Sequence, residues 1–191
     1  MIPRDKINVS AGAICLNLRK AGYESYIVGG CVRDLLLGRE PKDWDICTDA
    51  RPDEVMSLFA GSGWEVIPTG IKHGTVTLVN KETKEGFEVT TYRIDGNYSD
   101  GRHPDSVEFT LNLKEDLSRR DFTINAIALG YDSSGIWKLE DPFGGIEDLA
   151  KKTIRCVGDP YKRFSEDALR MMRAIRFMCQ LDFIIEDKTF E

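Results

Sequence analysis

The chain has 191 residues, 41% hydrophobic and 30% charged, with a formal net charge of −6 at pH 7. That size buries one good core, or one domain and part of a second, and the acidic balance argues against a protein that binds nucleic acid over its whole surface. No apolar stretch approaches the roughly 20 residues that span a bilayer, and Met1-Ile2-Pro3-Arg4-Asp5-Lys6 lacks the apolar run of a secretory signal, so the expected compartment is the cytoplasm.

Taken in chain order, Val9 to Ala21 carries helical spacing and stops at Gly22. Tyr26 to Gly30 reads as the first strand; its two closing glycines and the helix formers up to Gly38 predict strand, tight turn and helix. A second strand runs through Asp43-Trp44-Asp45-Ile46, with the two acids on one side and Trp44 and Ile46 turned into the core. Asp53 to Phe59 is helical after Arg51-Pro52, and Trp64 to Pro68 is a strand. Thr75 to Val79 and Gly86 to Tyr92 form a hairpin about a turn at Asn80 to Glu85. Ile94 to Asp105 has no periodicity and many turn formers, which predicts an exposed mobile loop. Val107 to Leu111 returns to strand, Leu117 to Leu129 reads as a helix, and Gly158 to Gln180 holds a long helix beginning near Ser165. No internal repeat or low-complexity tract interrupts this order.

Three constellations carry chemistry. In the first, amides at the start of a helix after Gly29 and Gly30 face an anion, with Arg33 one turn in as counter-charge. Asp43 and Asp45, sharing one surface beside that turn, repel each other unless a divalent cation lies across them. Magnesium suits all-oxygen ligands completed by a nucleotide's phosphates. The bland alternative is a solvated turn at Pro41-Lys42-Asp43. Glu88, between Phe87 and Val89, faces away from the core and is the candidate third carboxylate of a two-ion site, or an ordinary exposed acid.

The second constellation is Arg119-Arg120-Asp121, placed by its pattern at a helix start, where cations are disfavoured unless an anion is bound nearby. Arg120 then contacts phosphate or sugar and Asp121 accepts from a ribose hydroxyl; alternatively Asp121 caps the helix and the arginines are solvated. The third is Glu166-Asp167-Ala168-Leu169-Arg170-Met171-Met172-Arg173-Ala174-Ile175-Arg176, whose polar residues form a row along one helix. Asp167 and Arg170 side by side can read a base that offers an exocyclic amino group and a ring acceptor, as cytosine and adenine do and uracil and guanine do not. The alternative is a plain Asp–Arg ion pair. From Lys151 to Gln180 eight Lys or Arg face three acids, which suits a phosphate-bearing partner. Five scattered cysteines and two distant histidines, His73 and His103, make no zinc or redox pattern.

The Gly-Gly-x-Val-Arg-Asp turn with Asp43-x-Asp45, the Arg119-Arg120-Asp121 segment and Glu166-Asp167-x-x-Arg170-x-x-Arg173-x-x-Arg176 closely resemble the class II tRNA nucleotidyltransferases, the CCA-adding enzymes, and their bacterial poly(A) polymerase relatives. The resemblance implies an α+β fold: a polymerase β-like head, a mixed sheet flanked by helices, over residues 1–150, and the start of an all-helical neck over 151–191. It implies Asp43 and Asp45 as magnesium ligands and Gly30 and Arg33 as triphosphate contacts. Arg120 and Asp121 would hold sugar and phosphates; Asp167 and Arg170 would be the amino-acid template selecting CTP and then ATP; Arg173 and Arg176 would support that template or the phosphates. The implied reaction adds C, C and A to a tRNA 3′ end, and the loop at 94–105 matches one that helps switch from cytidine to adenosine. The family continues into body and tail domains that grip tRNA, whereas this chain stops at Glu191, so weak addition and reduced tRNA affinity are expected. The rival expectations are a poly(A) polymerase, a nucleotide-binding module without catalysis, and a magnesium phosphohydrolase.

Overall fold

The computed structural model describes residue 2 and residues 4–191. In chain order the elements are α1 (Val9–Lys20), β1 (Ser25–Val28), α2 (Gly30–Leu36), β2 (Asp45–Thr48), α3 (Pro52–Phe59), β3 (Trp64–Gly70), β4 (Thr75–Asn80), β5 (Gly86–Thr91), β6 (Arg93–Asp95), β7 (Val107–Phe109), α4 (Leu113–Ser118), β8 (Ala128–Tyr131), β9 (Trp137–Glu140), α5 (Gly145–Ala150), β10 (Thr153–Ile154), α6 (Pro160–Glu166), α7 (Leu169–Leu181), β11 (Ile184–Ile185) and α8 (Asp187–Phe190). Local chemistry starts the helices: Asn8 Oδ1 accepts from the amides of Ser10 and Ala11 at the head of α1, and α3 opens on Pro52, with Glu54 Oε2 accepting from Arg51 N at 2.7 Å.

Seven strands form one sheet in the order β3-β4-β5-β2-β1-β8-β9. β2 and β5 run parallel and the other neighbours antiparallel, so the sheet is mixed, as expected. Its two faces differ because side chains alternate along each strand. One register row, Leu129–Ile27–Ile46–Val89–Val76, is buried throughout and joins α1 and α3 in the main core. The next row, Ala128–Val28–Asp45–Glu88, points the other way; there a smaller cluster of Val28, Cys47, Tyr92, Leu117 and Val157 covers part of the sheet and leaves the acids at its edge. The main core runs on past residue 150, drawing in Ile154, Cys156, Phe177, Leu181 and Phe183. Among the described residues no helix is long and apolar enough to cross a membrane.

Three expectations need correction. The helix predicted over Leu117 to Leu129 is instead the end of α4, a single 3-10 turn at Thr123–Asn125 and the start of β8. Phe122, Ile124, Ala126, Ile127 and Ala128 are all fully buried, so the segment has no polar face for a surface helix. Its backbone pairs with a distant segment instead: Thr123 N donates to Arg155 O at 2.9 Å and Val157 N to Asp121 O at 3.0 Å. The long helix near Ser165 is two helices, broken at Asp167, whose φ of −146° is extended. Within the predicted loop, Ile94 and Asp95 belong to strand β6, which pairs with β7. Four of the five thiols are buried and Cys179 is exposed.

Candidate active site

The turn after β1 meets the start of β2, because Val28 lies directly opposite Asp45 in the antiparallel pair. Gly29 there has φ +86°, and a Cβ on it would stand 3.3 Å from Arg120 Nη1 and 3.7 Å from Asp45 Oδ2. Only glycine both takes that backbone and leaves room for an arginine and a carboxylate to approach. Asp43 is exposed just ahead of β2 and Asp45 is half-buried, while Trp44 and Ile46 are in the core; the alternation read from the sequence holds although the regular strand begins two residues late. Glu88 is the parallel-strand register partner of Asp45.

Burial pushes the Asp45 carboxyl above the usual carboxylate range; the Arg120 charge opposes this, and Glu88 and Asp43 reinforce it. A carboxylate held in the field of two like charges is a place that a cation would stabilise, and the donors are all oxygen, which suits a hard divalent ion. Among the described residues no three carboxylate, imidazole or thiol side chains gather as a ready-made metal site, so a cation there would take its remaining ligands from phosphate and water.

A cleft of about 800 Å³ opens beside this turn and is lined by Gly29, Gly30, Arg33, Asp43, Asp45, Arg120, Asp121, Asp167, Arg170, Arg173 and Arg176. It thus brings together eleven of the twelve residues singled out from the sequence. Glu88, exposed one strand farther out, does not line it.

The rest of the cleft lining is largely basic and tightly tied. Arg33 donates from Nη1 to Asn125 Oδ1 at 2.8 Å and pairs with Asp34 at 2.8 Å. Asn125 Nδ2 in turn donates to Asp121 Oδ1 at 3.1 Å, and Asp121 Oδ2 accepts from Arg173 Nε at 2.7 Å. The guanidinium carbons of Arg33, Arg173 and Arg176 lie 5.0, 5.4 and 5.0 Å from the centre of the Phe177 ring, a cation–π cluster on one apolar post.

Two details differ from the sequence reading. Arg119 closes the C-terminal end of α4, not the start of a helix, so the macrodipole favours cations there and gives no argument for an anion. Asp167 and Arg170 do not form a pair on one helix face. Asp167 Oδ1 accepts from Leu169 N at 2.9 Å, whereas Arg170 is buried, pairs with Glu166 at 2.6 Å, and donates to Arg163 O and Arg119 O. The break at Asp167 turns its side chain into a cap for α7 and leaves Glu166, one residue earlier, in reach of the arginine.

Sequence reasoning gave no role to Asn125, Phe177 or Glu166, although Glu166 stands in the third constellation. Asn125 carried a signal, an amide isolated in the apolar run Ile124-Asn125-Ala126-Ile127, because a polar group in such a run must find a partner inside. Phe177 follows Arg173 by four residues, one helical turn, and was legible as a stacking partner.

The profile of the poly(A) polymerase head domain matches residues 25–155. The chain is 53% identical to the CCA-adding enzyme of Lactobacillus helveticus over 192 residues, covering 99% of this chain and 46% of that enzyme. It is similar in fold, with a TM-score of 0.80 and 48% identity, to the crystal structure of Bacillus stearothermophilus CCA-adding enzyme in complex with CTP, over 94% of this chain and 40% of that one. A tRNA nucleotidyltransferase complexed with a primer tRNA and an incoming ATP analog matches with a TM-score of 0.74 and 36% identity, over 93% of this chain and 47% of the other. The chain spans less than half the length of each of these relatives.

Proposed function

The chain belongs to the poly(A) polymerase head-domain family, and from that premise we propose that it is a nucleotidyltransferase that builds C, C and A on the 3′ end of tRNA from CTP and ATP. An RNA 3′-hydroxyl attacks the α-phosphate, the bond from that phosphorus to the β-bridging oxygen breaks, and pyrophosphate leaves. The observation that carries this reading is one cleft lined by both an acid pair and a set of arginines, which complements a polyphosphate travelling with a cation. That relatives were crystallised with CTP and with tRNA and an ATP analog supports the choice of substrates.

In this reading Gly29, Gly30 and Arg33 receive the triphosphate, and Arg120 donates to it from the floor of the cleft. Asp43 and Asp45 hold magnesium, which when bound lowers the pKa of the attacking hydroxyl and offsets phosphate charge. Glu88 keeps the surroundings of Asp45 negative. Asp121 takes a sugar hydroxyl by exchanging one of its bonds to Arg173. Asp167 accepts from the exocyclic amino group of cytosine or adenine through Oδ2, and Arg170 donates to the ring acceptor by exchanging a bond to Glu166; uracil or guanine would set acceptor against acceptor and donor against donor at that place. Arg173 and Arg176 support that pair or the phosphates. Positioning supplies much of the rate, and no side-chain base is required. Residues 1–150 act as the head; 151–191 begin the neck, which, contrary to expectation, is not all-helical, since the short β10–β11 pair joins its helices; and the working compartment is the cytoplasm.

A poly(A) polymerase, favoured by the matched head-domain profile, would use the same phosphate and metal residues with ATP alone. The deciding experiment incubates the 191-residue protein with Mg²⁺, labelled CTP or ATP, and tRNA lacking its terminal CCA. CTP incorporation followed by ATP, with pyrophosphate released, is expected; incorporation of ATP only would favour the rival, and free phosphate in place of pyrophosphate would overturn both.

A further inference from the structure

Behind the cleft, and not lining it, sits the carboxylate of Asp116, on α4 and 0% exposed. A buried carboxylate is costly unless cations and hydrogen bonds meet it, and this one is met on every side. Its Oδ1 accepts from the backbone amide of Arg93 at 3.2 Å and from Arg119 Nε and Nη2 at 3.0 and 2.9 Å; its Oδ2 faces Arg120 Nη2 at 3.5 Å. Among the described residues it is the one carboxylate within ion-pair distance of Arg120. The Nε of Arg120 is buried with no hydrogen-bond partner, and its Nη1 stands beside Gly29. Arg120 is therefore a half-buried cation restrained from behind, with Nη1 left over at the glycine turn.

We propose that Asp116 is a positioning residue for nucleotide binding: it anchors Arg119 rigidly and holds the fork of Arg120 against the floor of the cleft, where its free N–H groups meet the incoming phosphates. This rests on the functional reading above, which places the triphosphate at that turn. The physical reason is that a guanidinium is planar, so fixing one edge aims the other. An asparagine at 116 has nearly the same shape but carries no charge, and its amide group would set N–H against N–H on one of the two arginines. Arg120 would then lose its anchor and its aim.

The test is a double-mutant cycle on equilibrium binding of CTP with Mg²⁺, using Asp116→Asn, Arg120→Gln and the double variant, with thermal melting of each. Asp116→Asn is expected to weaken CTP binding about tenfold, the scale seen when an outer-shell partner is removed, but to change it less than about twofold when Arg120 is already Gln. In turnover the loss falls on KM for CTP, because an anchored phosphate contact is made alike in ground and transition states. Equal losses in both backgrounds, or a fall in kcat at unchanged KM, would overturn the proposal and leave Asp116 as a structural ion-pair centre. If Asp116→Asn does not fold, Asp116→Glu, which keeps the charge but displaces it, runs the same cycle under the same criterion. Wild-type protein that binds no CTP would refute the functional reading and this inference together; wild-type binding with no change on Asp116→Asn refutes the inference alone.

Discussion

The acidic and basic walls of the cleft are assembled by different physics. Asp43 and Asp45 are placed by strand alternation and by one glycine sixteen residues before Asp45, so their geometry is local and their charges are left facing one another and Glu88. The basic wall is drawn from α2, the turn after α4 and helix α7, and its arginines have acid partners already: Arg33 with Asp34, Arg170 with Glu166, Arg173 with Asp121. A ligand thus relieves repulsion at the first wall and must exchange with ion pairs at the second. The lesson is that affinity should depend most steeply on the acids and their cation, whereas the arginines trade one anion for another.

Substitutions sharpen that contrast. The largest effect is expected from Asp43→Asn with Asp45→Asn, which removes the cation's anchor while leaving the fold intact. Nucleotide incorporation should fall on the order of 10²–10³-fold, the scale of losing a preorganised charge stabiliser, with a cooperative melt at or above the wild-type temperature; incorporation within threefold of wild type would remove the acids from the chemistry. Next is Gly29→Ala, which forces a side chain into a φ of +86° and to within 3.3 Å of Arg120. A cost of about 1–3 kcal/mol is expected from the backbone alone, read from the urea midpoint, together with weaker CTP binding.

A smaller cost, about 1 kcal/mol, is expected for Asp121→Asn, since the Arg173 side chain is 42% exposed and water screens the pair. Denaturation would measure it, and a much larger loss would mean that the basic wall is as rigid as the sheet. The smallest effect concerns pH. The folded protein raises the Asp45 pKa, so it binds that proton more tightly than the unfolded chain does, and stability is lost as pH rises through the window between the two values. Asp45→Asn should therefore melt higher than wild type at neutral pH, with the gap closing as pH falls below the ordinary carboxylate range. A variant less stable at neutral pH would contradict the strain assigned to that wall.

The sequence made the acidic wall legible and the basic wall only in part, for the same reason. Alternation at Asp43-Trp44-Asp45-Ile46 and the glycine pair are short-range signals, and strand order did not have to be known to read them. The mixed sheet, with β2 parallel to β5, also agreed with expectation. Leu117 to Leu129 failed because helical spacing in Phe122 to Ala128 came from residues buried on every side, and tertiary backbone pairing with Arg155 and Val157 prevailed over propensity. The break at Asp167 was hidden by a polar row that continues smoothly through it. Asp116 gave no signal of its own, since a carboxylate that is solvated and one that anchors two arginines look alike in a sequence.

The central claim, that both walls act on one nucleotide, is tested most directly by calorimetric titration of CTP with and without Mg²⁺. Wild-type protein should bind CTP more tightly with the metal, since the cation offsets both the acid pair and the phosphates. The Asp43→Asn, Asp45→Asn variant should lose that enhancement, and Arg33→Gln with Arg173→Gln should weaken binding whether or not the metal is present. CTP affinity indifferent to Mg²⁺ and to both pairs of substitutions would contradict the account.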